Sequence, residues 1–276
     1  MTTRINQRFA ALKAEGRAGL IAYVMAFDPD LETSLEIIKA LPAAGADVIE
    51  VGFPFSDPMA EGPSIQKAAE RGLKAGGSLT GALDLVARFR ETDQTTPVIL
   101  MGYANPVEQM GAATFASAAK AAGADGAILV DLPPEEDIDI RSALGGQGLS
   151  LIRLATPTTD AARLPVVLEG VTGFLYYVSV TGVTGALAIG VDAARTAVER
   201  LKRSTDLPIA VGFGVRDAQS ASAIARVADA VVVGSTFVDV IAKAAADGSP
   251  VMQAVSAKVQ ELARAVRTAR EQEATA

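Results

Sequence analysis

Apolar residues in this chain fall into eight short runs, separated by longer stretches in which apolar positions recur every three or four residues. Short apolar runs predict buried strands, and the helical recurrence predicts helices between them. The predicted strands are residues 20–25, 48–51, 97–104, 126–133, 149–156, 173–180, 207–214 and 229–235. The predicted helices include residues 4–15, 31–45, 65–90, 113–123, 135–144, 158–168, 191–203 and 250–272.

This alternation predicts one α/β domain over residues 1–276, a (β/α)8 TIM barrel with an extra N-terminal helix at about 4–15 and extra C-terminal helical sequence ending in a helix at about 250–272. No linker rich in Pro, Gly or Ser divides the chain. The segments AGADVIEV, AGADGAILV and VADAVVVG look like copies of one helix-end and strand unit, which is typical of repeated βα units. An open doubly wound sheet is the alternative, but the GxGxxG motif expected after its first strand is missing.

The amino-acid composition excludes several kinds of catalytic and binding site. The chain contains no Cys and no His, which excludes disulfides, thiolate or imidazole metal sites and a His-based triad. Its net charge of −7 and the lack of a basic block argue against nucleic-acid binding. No apolar run has the length needed to cross a bilayer, and the N-terminus lacks a signal-peptide core, so we expect a cytoplasmic protein without a membrane anchor.

The stretch VIEVGFPFSDPMAEGPSIQ carries three acids in an unusual setting. Glu50 lies inside an apolar strand, while Asp57 and Glu61 lie in the Gly- and Pro-rich loop that follows. Burial raises the pKa of a carboxyl group, and a raised pKa lets one acid both donate and accept a proton near neutral pH. The alternative is an ordinary strand-to-loop junction whose acids face water.

In a barrel of this kind the active site lies at the C-terminal ends of the strands. Glu50 and Glu61 fall there, as do Tyr103 and Tyr176. Gly-rich turns after the last two predicted strands suit a phosphate group held by backbone N–H groups, because glycine permits close approach. The alternatives are that the tyrosines are core residues and that the glycines only close tight turns.

Several motifs together resemble the tryptophan synthase α subunit family, in register over essentially the whole chain. The longest is EVGFPFSDPMAEGPSIQ, and the others are GYANP, DLPPEE, YYVSVTGVTGA, VGFGV and VVGS. The resemblance implies a carbon–carbon lyase that cleaves indole-3-glycerol phosphate to indole and glyceraldehyde 3-phosphate, without a metal or a cofactor on this chain. It implies catalysis by Glu50 and Glu61, an indole pocket at Tyr23, Tyr176 and Phe213, a phosphate site at Gly185, Gly214, Gly234 and Ser235, and lid or loop roles for Asp57 and Thr184.

Three positions depart from the family pattern. Glu61 stands where the family usually has Asp, Phe27 stands where it commonly has Gly, and Val180 stands where some members have Arg. The longer Glu61 side chain moves the carboxylate one methylene outward. Phe27 is expected to place a bulky ring near the mouth of the barrel.

The resemblance also implies a partner, the tryptophan synthase β subunit, which carries pyridoxal phosphate in an αββα tetramer. The loop at residues 53–58 and the turns at Asn105-Pro106 and Pro133-Pro134 are expected to contact it. The alternatives are a stand-alone indole lyase, a catalytically weakened allosteric binder of the β subunit, and another phosphate-binding barrel such as a sugar-phosphate isomerase.

Overall fold

The computed structural model describes residues 3–178, 191–212 and 214–271. Within these residues nine parallel strands form one sheet, and helices follow most of them along the chain. The strands are β1 Gly19–Met25, β2 Val48–Gly52, β3 Val98–Gly102, β4 Gly126–Leu129, β5 Ser150–Leu151, β6 Leu154–Ala155, β7 Leu175–Val178, β8 Ile209–Gly212 and β9 Ala230–Val233. The helices are α1 Arg4–Ala14, α2 Leu31–Ala44, α3 Pro63–Lys74, α4 Leu79–Arg90, α5 Ala104–Met110, α6 Ala112–Ala122, α7 Ile138–Gly146, α8 Leu164–Leu168, α9 Val191–Lys202, α10 Ala218–Ala225, α11 Ser235–Asp247 and α12 Val251–Thr268.

The sheet closes on itself through residues 150–155. Its order is β5-β4-β3-β2-β1-β9-β8-β7-β6, so its two end strands are consecutive in the chain and only two residues apart. The N–H of Ile152 still donates to Ala127 O of β4, and the next carbonyl, Arg153 O, already accepts from Tyr176 of β7. The fifth predicted strand is therefore divided into β5 and β6, which together bridge their two neighbours. The (β/α)8 TIM barrel is confirmed.

Side-chain alternation along the strands separates an inner core from an outer one. In β2, Ile49 and Val51 belong to the large outer cluster under the helices, while Val48 belongs to the cluster inside the barrel. Helix α1 contributes to the inner cluster and closes the barrel at the N-terminal ends of the strands, which form the lower end of the barrel. The ring of Phe9 lies 5.6 Å from that of Phe174. Side chains therefore fill the interior of the barrel at the end that α1 covers.

The repeated segments share an aspartate that fastens one strand to the next. In each copy the residue before the strand is Asp, at positions 47, 125 and 229. One carboxylate oxygen of each Asp accepts a hydrogen bond from the backbone N–H of the first or second residue of a neighbouring strand. The other carboxylate oxygen bonds the side chain of a Lys or Arg residue. The N–H groups belong to Leu20, Val98 and Ile209, and the cations bonded in this way are Arg17, Arg4 and Lys202. The sequence repeat therefore reflects a repeated structural unit at the bottom of the barrel.

Several predicted boundaries were wrong. The helix predicted over residues 65–90 is two helices, α3 and α4, because Gly76 has a positive φ of 86° and Ser78 caps a new helix by accepting from Gly81 N. The segment 158–168 is helical only in α8, and α7 begins at Ile138 instead of residue 135. Asn105 and Pro106, predicted to break the third strand, lie in the first turn of α5. Proline is tolerated there because the N–H groups of a first turn have no intrahelical partner.

Among the described residues, no helix combines the length and the apolar character that crossing a membrane requires.

Candidate active site

A cleft opens at the C-terminal ends of the strands and encloses about 640 Å³, its open mouth included. It brings together residues from both ends of the chain. The predicted site residues that line it are Tyr23, Glu50, Glu61, Tyr176, Gly214, Gly234 and Ser235. The apolar side chains in its wall, which the sequence reasoning did not single out, are Ile65, Met101, Val178, Val215 and Val232. Alternation within strands β3, β7 and β9 was the available signal for three of them.

Glu50 lies at the base of this cleft. It follows Val48 by two residues in β2, so the same alternation that buries Val48 turns Glu50 inward. Its side chain is fully buried, and neither carboxyl oxygen has a hydrogen-bond partner among the described residues. Burial, and secondarily the charge of Glu61, raises the pKa of Glu50 from 4.5 to about 8. Glu50 is therefore mostly protonated at neutral pH and ready to donate a proton.

Two tyrosines line the cleft, and the position of each ring depends on a glycine of the neighbouring strand. A Cβ on Gly52 would lie 2.3 Å from the Tyr23 hydroxyl oxygen, and a Cβ on Gly212 would lie 2.6 Å from that of Tyr176. Any other residue at either glycine would displace the ring. Burial raises the pKa of both phenols well above the ordinary value, with further contributions from Glu50 and Glu61, so both stay neutral.

Glu61 enters the cleft from the loop between β2 and α3. Only 7% of its surface is exposed, although the neighbouring residues Met59 and Ala60 face solvent. The carboxylates of Glu50 and Glu61 are close enough for the Glu61 charge to raise the Glu50 pKa. The structure thus brings the two predicted catalytic acids to one cleft. Among the described residues, no group of three or more Asp and Glu side chains could hold a metal ion.

The predicted phosphate site lies at the beginning of α11. Gly234 is the N-cap of this 13-residue helix and Ser235 is its first residue, so the helix N-terminus borders the cleft. Gly214 has a positive φ of 63°, and a Cβ there would meet no atom within 4 Å. Free N–H groups and the helix dipole favour an anion at such a position. The Thr236 hydroxyl donates to Val215 O at 2.6 Å and ties the helix start to the loop that contains Gly214.

Not every predicted residue joins the site. Asp57 is exposed on the outer surface of its loop, where it accepts a hydrogen bond from the Ser56 hydroxyl, and it does not line the cleft. Phe213, Thr184 and Gly185 lie outside the described residues, as does Val180.

Two aromatic residues correct the expectations for the barrel mouth. Phe53 is only 2% exposed, and its ring occupies the space above Gly102, where a Cβ would lie 2.2 Å away. Phe27 adopts a left-handed φ of 65°, which explains why glycine suits this position, and its ring packs on Gly81 of α4 within the outer core. Neither residue lines the cleft. The exposed part of the acid-bearing loop, residues 53–62 between β2 and α3, begins beyond Phe53.

The raised Glu50 pKa makes the stability of the fold depend on pH. Between pH 4.5 and about 8 the folded protein holds a proton on Glu50 that the unfolded chain releases. The stabilisation of the folded state by this proton is complete below pH 4.5. As the pH rises above 4.5, the free energy of unfolding falls by about 1.4 kcal/mol per pH unit until the pKa of Glu50 in the folded state is passed. Urea unfolding of wild type and Glu50→Gln between pH 5 and 8 measures this slope. We expect the wild type to lose stability relative to the variant; parallel curves would contradict the raised pKa.

The fold and the cleft define a TIM-barrel enzyme whose site carries acid–base groups and a candidate anion cradle. A family profile described as "Tryptophan synthase alpha chain" matches residues 9–267. The chain belongs to this family, whose members are lyase subunits of tryptophan biosynthesis with a β-subunit partner.

Individual relatives agree with the family assignment. The chain is 60% identical over 267 residues to the tryptophan synthase alpha chain of Caulobacter vibrioides strain NA1000, covering 97% of each chain. It is 58% identical to that of Caulobacter sp. strain K31, again covering 97% of each. A crystal structure of the tryptophan synthase alpha subunit from Legionella pneumophila str. Paris superposes with a TM-score of 0.91 at 40% identity, covering 96% of this chain and 99% of the other. These findings support the α-subunit interpretation and none of the alternatives to it.

Proposed function

We propose that this α subunit cleaves indole-3-glycerol phosphate to indole and glyceraldehyde 3-phosphate, with Glu50 transferring the protons. The observation that carries the proposal is a fully buried carboxyl group without a hydrogen-bond partner among the described residues, at the base of a cleft walled by two tyrosines. A proton donor near pH 7 needs this raised pKa, and a flat aromatic substrate suits these walls.

In the first step Glu50 donates its proton to the indole ring carbon that bears the glyceryl chain. The ring becomes a cation whose positive charge resides largely on the ring nitrogen. Glu61, the second acid of the cleft, stabilises this charge as it develops. A fixed carboxylate is effective here because it is already oriented before the charge appears.

In the second step the Glu50 carboxylate accepts the proton of the side-chain hydroxyl next to the ring. The carbon–carbon bond breaks, its electron pair returns to the ring, and an aldehyde and neutral indole result. Glu50 ends the cycle protonated, so one group serves as acid and then as base. The phosphate of the substrate would be held by the glycine turns and the N-terminus of α11.

The exposed surface beside the cleft supports a docking site for the β subunit. Met59, which is 74% exposed, and Leu73, which is 38% exposed, line a shallow groove between the acid-bearing loop and α3. Exposed apolar side chains grouped in this way mark interaction surfaces. We propose that this groove contacts the β subunit, that the assembly is αββα, and that pyridoxal phosphate is bound by the partner.

Steady-state release of indole from indole-3-glycerol phosphate, with and without the β subunit, tests the proposal. We expect turnover by the α chain that rises when the partner is added. Full turnover that the partner leaves unchanged would indicate a stand-alone lyase. No turnover in either case would contradict the proposed reaction.

A further inference from the structure

The acid-bearing loop, residues 53–62 between β2 and α3, must hold Glu61 in place without regular secondary structure. Within it, Met59 N donates to Asp57 O at 2.8 Å and Glu61 N donates to Pro58 O at 3.1 Å. These are local turns, and they do not fix the loop relative to the barrel. The position of the Glu61 carboxylate therefore depends on contacts from other elements.

Tyr103, the residue after β3, provides the first contact. Its hydroxyl oxygen accepts the N–H of Ala60 at 2.9 Å. The side chain is only 3% exposed, and its ring stacks on Phe55 with the centroids 5.3 Å apart. Burial raises the Tyr103 pKa, although hydrogen bonds from the backbone of Ala60 and Glu61 oppose this effect. The phenol is thus a rigid acceptor for the loop backbone.

Gln66, in the first turn of α3, provides the second contact. Its side-chain Nε2 donates to the carbonyl oxygen of Glu61 at 2.9 Å. Helix α3 is itself fixed, because Arg71 forms two hydrogen bonds of 2.7 and 2.8 Å with the fully buried carboxylate of Asp28 in the loop after β1. Gln66 therefore ties Glu61 to a helix that is anchored to the barrel.

We propose that Tyr103 and Gln66 are positioning residues that act through Glu61, holding the backbone on both sides of it so that its carboxylate reaches the reacting ring. The proposal rests on the proposed function. One contact precedes the Glu61 side chain and the other follows it, so together they set both the place and the direction of that side chain. Neither residue lines the cleft. The Glu61 charge also contributes to the raised Glu50 pKa, so displacement of the loop changes both acids.

Two variants of the full chain, assayed with the β subunit, test the proposal. Tyr103→Phe removes the acceptor but keeps the ring, and Gln66→Leu removes the donor but keeps the bulk. Because a displacement of about 1 Å can reduce a rate by about 10²-fold, we expect kcat to fall by roughly 10- to 100-fold while KM changes little. The alkaline limb of the kcat/KM profile should also move to lower pH, because the Glu61 charge has moved away from Glu50.

Matched controls separate positioning from general disturbance. Tyr177→Phe alters a buried tyrosine that packs in the outer core, and Gln94→Leu removes another glutamine-to-carbonyl hydrogen bond, the one to Arg90 O. Both controls should retain wild-type kcat and the wild-type pH profile. If the wild type and the controls release no indole, the proposed function is wrong, and this result is independent of the hydrogen bonds from Tyr103 and Gln66 to the loop.

A double-mutant comparison decides whether the two residues act through Glu61. In a Glu61→Gln background, Tyr103→Phe and Gln66→Leu should have little further effect on kcat, because the group that they position is already gone. A loss of the same factor in both backgrounds would show a merely structural role and overturn the proposal. An unchanged kcat in the single variants would overturn it as well.

Discussion

Glu50→Gln should lower kcat for indole formation by about 10²–10⁴-fold, the range that a general acid–base group contributes. The substitution preserves shape and removes the transferable proton. Folding should remain intact, because the buried carboxyl has no hydrogen bond among the described residues to lose. The measurement is steady-state indole release by the variant with the β subunit present.

The control for this variant is Glu36→Gln, which makes the same chemical change at an exposed position of α2. It should leave kcat unaltered. If Glu50→Gln kept more than about a tenth of the wild-type rate, Glu50 would not contribute as a general acid–base group does, and the proton transfer would have to be assigned elsewhere.

Glu61→Asp should also lower kcat, although the family resemblance implies Asp at this position. The hydrogen bonds to the Ala60 N–H and to the Glu61 carbonyl fix the loop backbone. The shorter Asp side chain therefore withdraws the carboxylate by one methylene. Because a misplacement of about 1 Å can reduce a rate by about 10²-fold, we expect a loss in kcat of that order. The weakened-binder alternative gives the opposite result, a large gain from near zero.

The comparison for this variant is Glu61→Gln, which keeps the length and removes the charge. It should lose about 10²–10³-fold, the typical effect of removing one preorganised group that stabilises transition-state charge. Glu36→Asp, at an exposed position of α2, is the matched control and should leave kcat unaltered. A Glu61→Asp variant as fast as wild type would show that the loop adapts to the shorter acid.

The fold was predictable because apolar runs and their alternation reflect burial directly. Glu50 could be singled out for the same reason, since an acid inside an apolar strand must be desolvated. The fifth strand was not predicted in detail, because its division into β5 and β6 depends on two different neighbouring strands. Sequence periodicity contains no information about which neighbour a residue pairs with.

The direction in which loop side chains point could not be predicted from the sequence either. Phe53 was expected at the partner-facing edge, yet it fills the space that Gly102 leaves open on the next strand. Phe27 was expected near the mouth, yet its ring packs on Gly81 of α4. In both cases a glycine far along the chain receives the aromatic ring. The pairing of Tyr23 with Gly52 follows the same rule and positions a wall of the cleft. Such complementarity appears only when the strands are assembled.

Glu50 is a buried acid that holds its proton at neutral pH. The most direct test of this protonation state is a ¹³C NMR titration of the glutamate side-chain carboxyl groups, with the Glu50 signal assigned by its loss in Glu50→Gln. The structure predicts a midpoint of about 8 for this one carboxyl group. A midpoint near the ordinary value of 4.5 would contradict the account.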